Sequence, residues 1–254
     1  MVVSGRLRTA LLFAEDNFVG PEYYRALRAA NRRPDLLATV GRMTPSSITR
    51  EIERTGGMWN PPPIPNDERV HRFAESSDTA LLDLIRDAAI DIAIQGGIGI
   101  LKSETLAAPG IGFVNVHPGH LPEYRGHSCP EWALYNGDPV YATAHFIDEG
   151  IDTGPVICCS RYEIRPDWNH ESFRAHLYGH CAEVLLQALE SIERAEPERA
   201  WGIATPQPQA GARYHPPIPA DKLESVQLRL GSSKPPANRR PIRETVTHGR
   251  YQLK

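Results

Sequence analysis

Short apolar runs alternate with amphipathic stretches over most of the chain. The runs Leu7–Ala14 and Asp91–Gln95 have the length and aliphatic content of buried strands. Between such runs, apolar residues recur at helical spacing, as Leu81, Leu82 and Ile85 do. Strands that alternate with helices in this way predict an α/β fold built on a parallel sheet.

The same pattern predicts where each element lies. The predicted strands are Leu7–Ala14, Asp35–Val40, Val70–Phe73, Asp91–Gln95, Ile111–Val116, Tyr141–Ile147 and Pro155–Ile164. The predicted helices are Pro21–Arg33, Pro45–Arg54 with Thr44 as its cap, Asp78–Ala88, Cys129–Asn136 and Glu171–Arg194. We expect the last helix to close the core.

The composition changes near residue 195, where prolines become frequent. From residue 221 to 254 there are eight Lys and Arg residues against three Asp and Glu residues. We therefore predict one α/β domain over residues 1–195 and a Pro-rich, basic extension over residues 196–254. We expect such an extension either to bind RNA or an anionic substrate, or to form a solvated strap or a partly disordered end, which is the commoner case.

The overall composition excludes several classes of protein. Net charge is −3 and 41% of residues are hydrophobic, which gives no global attraction to nucleic acid or to anionic membranes. No apolar run approaches the ~18 residues of a membrane span, and the first residues predict a strand and not a signal peptide. Four cysteines without a CxxC pair indicate reduced thiols, so we expect a cytoplasmic protein. The turn after the first strand, AEDNFVGPEYY, lacks the glycine pattern of a dinucleotide or nucleoside triphosphate site.

Candidate chemistry is concentrated at the end of the strand Ile111–Val116. Asn115 and His117 are two residues apart, so their side chains should point to the same face of the sheet. The carboxyl ends of parallel strands are where open α/β sheets bind ligands. A turn further along the chain, DEGIDTG, supplies Asp152. An amide that holds an oxyanion, an imidazole that moves a proton and a carboxylate that orients the imidazole suit acyl transfer without a covalent intermediate.

The segment NVHPGHLPEYRG, followed by DEGIDTG, resembles the folate-dependent formyltransferase family, whose pattern is NxHxxxLPxxRG and then DxGxDTG. The resemblance implies a Rossmann-like open, mostly parallel sheet, with residues 1–195 as the catalytic domain. It implies 10-formyltetrahydrofolate as co-substrate and no metal. It also implies that Asn115 polarises the formyl carbonyl, that His117 assists proton removal from the attacking amine, and that Asp152 positions His117 and relays the proton.

Two loops should bind the pterin of the donor, as the same resemblance implies. Their residues are Gly97, Ile98, Gly99, Leu101 and Leu106 in the first, and Asp148, Glu149 and Ile151 in the second. Two positions bear on how the site is built. Gly119 stands where many relatives have serine, and we expect the backbone there to approach a ligand closely. Arg125 should either buttress the loop or meet an anionic acceptor.

The resemblance leaves the acceptor open. We expect an amine of a small molecule, such as an amino sugar nucleotide or an amino-acid-like compound, because tRNA-modifying relatives carry a further domain of about a hundred residues. A membrane partner is not expected, a nucleic-acid partner is disfavoured, and a homodimer is left open. Two other functions are kept as alternatives: hydrolysis of the donor to release formate, and folate binding without catalysis.

Overall fold

The computed structural model of the protein describes residues 6–43, 46–66, 68–195 and 197–231. Its strands are β1 Thr9–Glu15, β2 Leu36–Arg42, β3 His71–Phe73, β4 Ile92–Gln95, β5 Gly112–His117, β6 Arg125–Gly126, β7 Tyr141–Phe146, β8 Val156–Arg161 and β9 Tyr214–His215. Its α-helices are α1 Val19–Ala29, α2 Ser47–Arg54, α3 Thr79–Asp87, α4 Ser103–Leu106, α5 Cys129–Asn136, α6 His170–Arg194 and α7 Ala220–Gly231. A 3₁₀ helix covers Pro197–Ile203.

The main sheet has seven strands in the order β3-β2-β1-β4-β5-β7-β8. The first five are parallel, and β7 and β8 are antiparallel to their neighbours. The predicted α/β fold with an open, mostly parallel sheet is therefore confirmed. Because β7 runs antiparallel to β5, the carboxyl end of β5 lies beside the amino-terminal half of β7. Asn115 is opposite His145, and His117 is opposite Thr143.

Two apolar layers cover the two faces of the sheet. On one face, side chains of β1, β4 and β5 pack against α1 and α6, with Phe13, Val114 and Leu185 among the buried residues. On the other face, alternate residues of the same strands pack against α3, as Leu12 and Phe113 do. This alternation follows from the period of two in a strand. The long helix α6 closes the first layer, as expected.

A buried ion-pair network ties α2, α5 and α6 together near the carboxyl end of the sheet. Arg174 lies 2.9 Å from Oε2 of Glu51 and 3.3 Å from Oε1 of Glu131, and all three side chains are almost fully buried. His170 lies 3.4 Å from the same oxygen of Glu131. Although burial pushes the pKa of Glu131 upward, the charge of Arg174 and the His170 hydrogen bond outweigh it and lower the pKa to about 2. Glu131 is therefore ionised, and it forms a buried ion pair with Arg174.

Some boundaries differ from those predicted. Helix α1 begins at Val19, because Oδ1 of Asn17 accepts its backbone N–H at 2.8 Å, and not at Pro21. It ends at Ala29, ahead of Asn31, whose φ of 57° is left-handed and incompatible with a continuing helix. Helix α2 is capped by Ser46, which accepts from the N–H of Thr49. The predicted cap Thr44 and helix start Pro45 lie outside the described residues.

The described part of the C-terminal segment packs against the rest of the chain. Trp201 stacks on Phe146 with ring centroids 4.4 Å apart, and its indole N–H donates to the carbonyl of Ile111. Strand β9 pairs in parallel with β6, and α7 contacts α5. The predicted boundary at residue 195 stays a prediction. Residues 232–254, which hold six of the ten Lys and Arg residues of the predicted extension, lie outside the described residues. No helix in the described ranges is both long and apolar enough to cross a membrane.

Candidate active site

Asn115 and His117 lie on one face of β5, as their spacing predicts, at the carboxyl end of the strand. The register places His145 opposite Asn115 and Thr143 opposite His117. His117, Thr143 and His145 are all buried. The face of the sheet at this point is therefore polar, although it lies within a well-packed structure, and this is a costly arrangement unless every polar group has a partner.

Asn115 is held by His145. The amide Nδ2 of Asn115 lies 3.2 Å from Nε2 of His145, and Nδ1 of the same ring lies 2.8 Å from the carbonyl oxygen of Phe146. A carbonyl only accepts, so Nδ1 carries the hydrogen and Nε2 accepts from the amide. Burial lowers the pKa of His145 to about 4, with the nearby His117 acting in the same direction and Asp152 opposing it. His145 is thus a neutral acceptor that orients the Asn115 amide.

Sequence reasoning missed His145. The sequence did contain part of the information, because the alternation of side chains along a strand puts His145 on the same face as Thr143. Its partner, however, is set by the register between β5 and β7, which the sequence does not specify.

His117 is held between a carbonyl and a carboxylate. Its Nε2 lies 2.7 Å from the carbonyl oxygen of Tyr124, and its Nδ1 lies 3.4 Å from Oδ2 of Asp152. The same carboxylate oxygen accepts the backbone N–H of Gly126 at 2.9 Å. Oδ1 of Asp152 faces Nε2 of His145 at 3.8 Å. The structure therefore brings the predicted residues Asn115, His117 and Asp152 into one cluster.

Gly119 makes room for the His117 ring. A Cβ at this position would lie 2.6 Å from Nε2 of His117 and 2.7 Å from the carbonyl oxygen of Tyr124. Both distances are shorter than real Cβ contacts. The absent side chain therefore permits the bond between His117 and Tyr124.

The turn that carries Asp152 is a tight, self-bonded loop. Asp152 has φ of 54°, in the left-handed region that is uncommon for residues other than glycine. Oδ1 of Asp148 accepts the N–H of Gly150 and the hydroxyl of Thr153. A Cβ on Gly154 would lie 1.9 Å from the carbonyl of Phe146, so only glycine fits there. The DEGIDTG pattern is thus explained by the turn that aims Asp152.

The two loops predicted to bind a pterin lie side by side. The hydroxyl of Ser103 donates to Oε1 of Glu149 at 2.6 Å and so joins the first loop to the second. In the first loop, Gln95 accepts from the N–H of Gly97 at 2.9 Å and donates to the carbonyl of Gly99 at 3.1 Å. Asn17 donates to the carbonyl of Gly97 at 2.9 Å. These bonds fix the conformation of the loop, and sequence analysis did not single out Gln95 or Asn17, which make them.

The side chains of these loops divide into buried and exposed groups. Leu101 is buried, and Ile98 and Leu106 pack on the hydrophobic layer beside α3. Ile100 and Ile151 are exposed large apolar residues, with 79% and 50% of their surface accessible. Exposed apolar side chains on adjacent loops are available to an apolar ligand ring. The contacts to a pterin from Gly97, Ile98, Gly99, Leu101, Leu106, Asp148, Glu149 and Ile151 stay predictions.

The other histidines of the segment have separate partners. His120 lies 3.1 Å from Oε2 of Glu123. Burial pushes the pKa of His120 down, but interactions with the nearby Cys159 and Glu123 outweigh burial and raise the pKa to about 9. His127 packs edge-on against Tyr214. Within the described ranges, no group of three or more His, Cys, Asp or Glu side chains is arranged to hold a metal ion.

Comparison with known proteins gives matches over most of the chain. The family model described as formyl transferase matches residues 47–189, more than half of the chain. The methionyl-tRNA formyltransferase of Thermus thermophilus is 33% identical over 195 residues, which are 76% of this chain and 56% of that protein. That of Deinococcus radiodurans is 34% identical over 148 residues, 58% of this chain and 44% of that protein. The chain thus spans about half the length of the curated relatives it matches.

Solved structures share the fold at low sequence identity. A sugar N-formyltransferase from a Shewanella species has a TM-score of 0.51 at 14% identity, and the match covers 88% of this chain and 87% of that one. HypX from Aquifex aeolicus, in complex with tetrahydrofolic acid, has a TM-score of 0.56 at 16% identity over 91% of this chain and 35% of that one. With its Asn115, His117 and Asp152 cluster and the match over residues 47–189, the chain belongs to the formyl transferase family.

Proposed function

We propose that the protein is an N-formyltransferase that moves a formyl group from 10-formyltetrahydrofolate to the amine of a small molecule. The observation that carries this proposal is the cluster of Asn115, His117 and Asp152 at the carboxyl end of β5. The cluster combines a neutral hydrogen-bond donor, a base and a carboxylate. Folate binding alone does not require these three groups together, so a purely binding role is disfavoured.

Asn115 polarises the formyl carbonyl. One hydrogen of its amide is taken by His145, which leaves the second hydrogen to donate to the formyl oxygen. As the amine attacks, negative charge develops on that oxygen, and a donor already oriented by His145 stabilises it without reorganising. Because His145 accepts from the amide only in its neutral form, the neutral ring is part of this arrangement.

The pair His117 and Asp152 removes the proton from the attacking amine. Nε2 of His117 donates to the Tyr124 carbonyl, so the neutral ring has its basic nitrogen, Nδ1, on the side of Asp152. When Nδ1 takes up the proton, the imidazolium lies against the Asp152 carboxylate, which stabilises the charge. Collapse of the tetrahedral intermediate then breaks the bond between the formyl carbon and N10 of the donor, and the proton passes to N10.

The donor binds to the two loops joined by Ser103 and Glu149. Backbone N–H and C=O groups of these loops suit the polar edge of a pterin, and Ile100 and Ile151 suit its faces. HypX, which has a similar fold over 91% of this chain, was solved in complex with tetrahydrofolic acid, and this supports a folate as a ligand of the protein.

The acceptor approaches from the side of β6 and β9. Tyr214 is 55% exposed and packs on Gly126, whose N–H binds the Asp152 carboxylate. His127 lies edge-on to the same tyrosine ring. These aromatic faces, next to the reacting groups, suit a compact acceptor that carries a flat or apolar part. We therefore favour an amino sugar nucleotide or an amino-acid-like amine.

The test is a turnover assay with 10-formyltetrahydrofolate and a panel of amines. The panel contains UDP- and dTDP-amino sugars, amino acids, glycinamide ribonucleotide and methionyl-tRNA, with a sample that has no amine. We expect tetrahydrofolate to form only with one class of small amine. Transfer to methionyl-tRNA alone would overturn the small-molecule acceptor, and equal formation of tetrahydrofolate and formate without amine would identify a hydrolase.

Variants separate catalysis from binding. Asn115→Ala, His117→Ala and Asp152→Asn should each lower turnover while donor binding, followed by tryptophan fluorescence, is largely kept. His176→Gln is the matched control, because His176 is exposed on α6, outside the cluster. Donor binding without turnover in the wild-type protein for any amine or for water would favour the folate-binding module.

A further inference from the structure

Gln207 connects the Asp152 turn to the strand that carries Arg125. It lies in the C-terminal segment, outside residues 47–189 that match the family model. Its amide nitrogen donates to the carbonyl oxygens of Asp152 at 3.0 Å and Gly154 at 2.7 Å. Its amide oxygen accepts from Nε and Nη2 of Arg125 at 3.1 and 2.7 Å. We propose that Gln207 and Arg125 form a clamp that positions Asp152 for proton transfer.

The orientation of the Gln207 amide is determined by its partners. A guanidinium only donates and a backbone carbonyl only accepts, so the oxygen must face Arg125 and both amide hydrogens must face the turn. The two amide hydrogens thus bond to the Asp152 turn, and the amide oxygen accepts two bonds from Arg125. All four hydrogen-bonding positions of the amide are therefore occupied. Arg125 is itself buried, and its charged, forked donor makes the bonds to Gln207 stronger than those between neutral groups.

The strand that carries Arg125 also contacts the Asp152 carboxylate directly. Gly126 follows Arg125 in β6, and its N–H donates to Oδ2 of Asp152 at 2.9 Å. Arg125 therefore acts on the backbone of Asp152 through Gln207, while the next residue binds the side chain of Asp152. The N–H of Arg125 donates to the carbonyl of Arg213 at 2.9 Å, so the residue before β9 also bonds to the strand that carries Arg125.

Asp152 needs such support because of its backbone conformation. A residue other than glycine at φ of 54° is strained and persists only where the surroundings hold it. The bonds to the carbonyls of Asp152 and Gly154 hold the turn on both sides of Thr153. A small rotation of this turn would move Oδ2 away from Nδ1 of His117, which is already 3.4 Å distant.

This role rests on the proposed formyl transfer, and the variants are chosen so that the two can fail separately. Gln207→Ala removes both the acceptor for Arg125 and the donor to the carbonyls of Asp152 and Gly154. Gln207→Glu keeps an acceptor for Arg125 but loses the donor to the two carbonyls. Gln209→Ala is the matched control, because Gln209 is the same residue type in the same segment and is exposed.

With the acceptor identified, we expect Gln207→Ala and Gln207→Glu to lower kcat by about 10- to 100-fold with little change in KM for the donor, as loss of orientation does. Gln209→Ala should keep the wild-type kcat. In the Asp152→Asn background, Gln207→Ala should lower kcat by less than about twofold further, since residues that act through one another are not additive. An undiminished loss in that background, or a normal kcat for Gln207→Ala, would overturn the clamp.

Amide hydrogen exchange tests the clamp without any turnover. The Gly126 N–H reports directly on the Asp152 carboxylate, and we expect its protection to fall about tenfold in Gln207→Ala and Gln207→Glu while core strand amides keep theirs. Unchanged exchange at Gly126 would overturn the clamp even if the wild-type protein transferred no formyl group to any amine. Reduced protection together with absent transfer would support the clamp and overturn only the proposed function.

Discussion

Nδ1 of His117 lies 3.4 Å from Oδ2 of Asp152, although one residue ends β5 and the other belongs to the turn between β7 and β8. The distance is slightly long for a hydrogen bond, which fits a neutral ring whose hydrogen is on Nε2. Protonation of Nδ1 would create a charge-assisted bond and draw the two groups together. The pair is thus arranged to stabilise the product of proton transfer more than its starting state, as catalysis requires.

Removal of the base is expected to affect turnover and spare donor binding. His117→Ala should lower kcat by about 100- to 10,000-fold, the usual contribution of a positioned general base. The donor loops are separate from His117, so the Kd for the folate should change little. Steady-state kinetics and fluorescence titration check the two quantities. A near-normal kcat in folded His117→Ala protein would contradict the role of this residue.

Gly119 should not tolerate a side chain. Gly119→Ala places a Cβ 2.6 Å from Nε2 of His117 and 2.7 Å from the Tyr124 carbonyl, so the ring or the loop must shift. We expect kcat to fall at least about tenfold, because the base is misplaced. Gly202→Ala is the control, since its Cβ would meet nothing within 4 Å. Equal kcat values for the two variants would show that the ring position is not critical.

His145 should make the protein less stable in acid. Its pKa is lowered to about 4 from an ordinary 6.5, so the unfolded chain binds a proton over this range that the folded chain does not. The free energy of unfolding should therefore fall as pH falls from about 6.5 to about 4, by up to about 3 kcal/mol for this residue. Urea denaturation across this range should show a shallower slope for His145→Gln than for the wild-type protein. An identical slope would contradict a neutral, buried His145.

His120 should act in the opposite direction and at higher pH. Its pKa is raised to about 9, so its contribution to stability is complete below about pH 6.5 and is lost as pH rises through 9. His120→Gln should remove this alkaline loss and leave the acid slope unchanged. The two histidines can therefore be distinguished by denaturation on the two sides of neutral pH. A variant with an unchanged alkaline slope would argue against the pairing of His120 with Glu123.

The buried ion-pair network should matter for stability. Arg174→Met removes the buried guanidinium that pairs with both Glu51 and Glu131, and the free energy of unfolding should fall by about 3–5 kcal/mol. Arg165→Met, at an exposed pair with Asp167, should change it by less than about 0.5 kcal/mol. Denaturant unfolding measures both. Similar values for the two variants would mean that the buried pairing gives no net advantage.

The local pattern of the sequence determined the order of strands and helices, the parallel sheet, and the shared face of Asn115 and His117. These features depend on periodicities of two and of 3.6 residues, which are visible within short stretches. The DEGIDTG motif likewise encodes its own turn, because Asp148 and Gly154 act within the loop.

Only the tertiary structure decided which side chains hold these residues in place. The register between β5 and β7 brings His145 to Asn115, and the return of the C-terminal segment brings Gln207 to Asp152. The space left at Gly119 has meaning only once the His117 ring lies against it. Such contacts join residues far apart in the chain, and their free energy depends on packing and strand register, for which a single sequence carries no periodic signal.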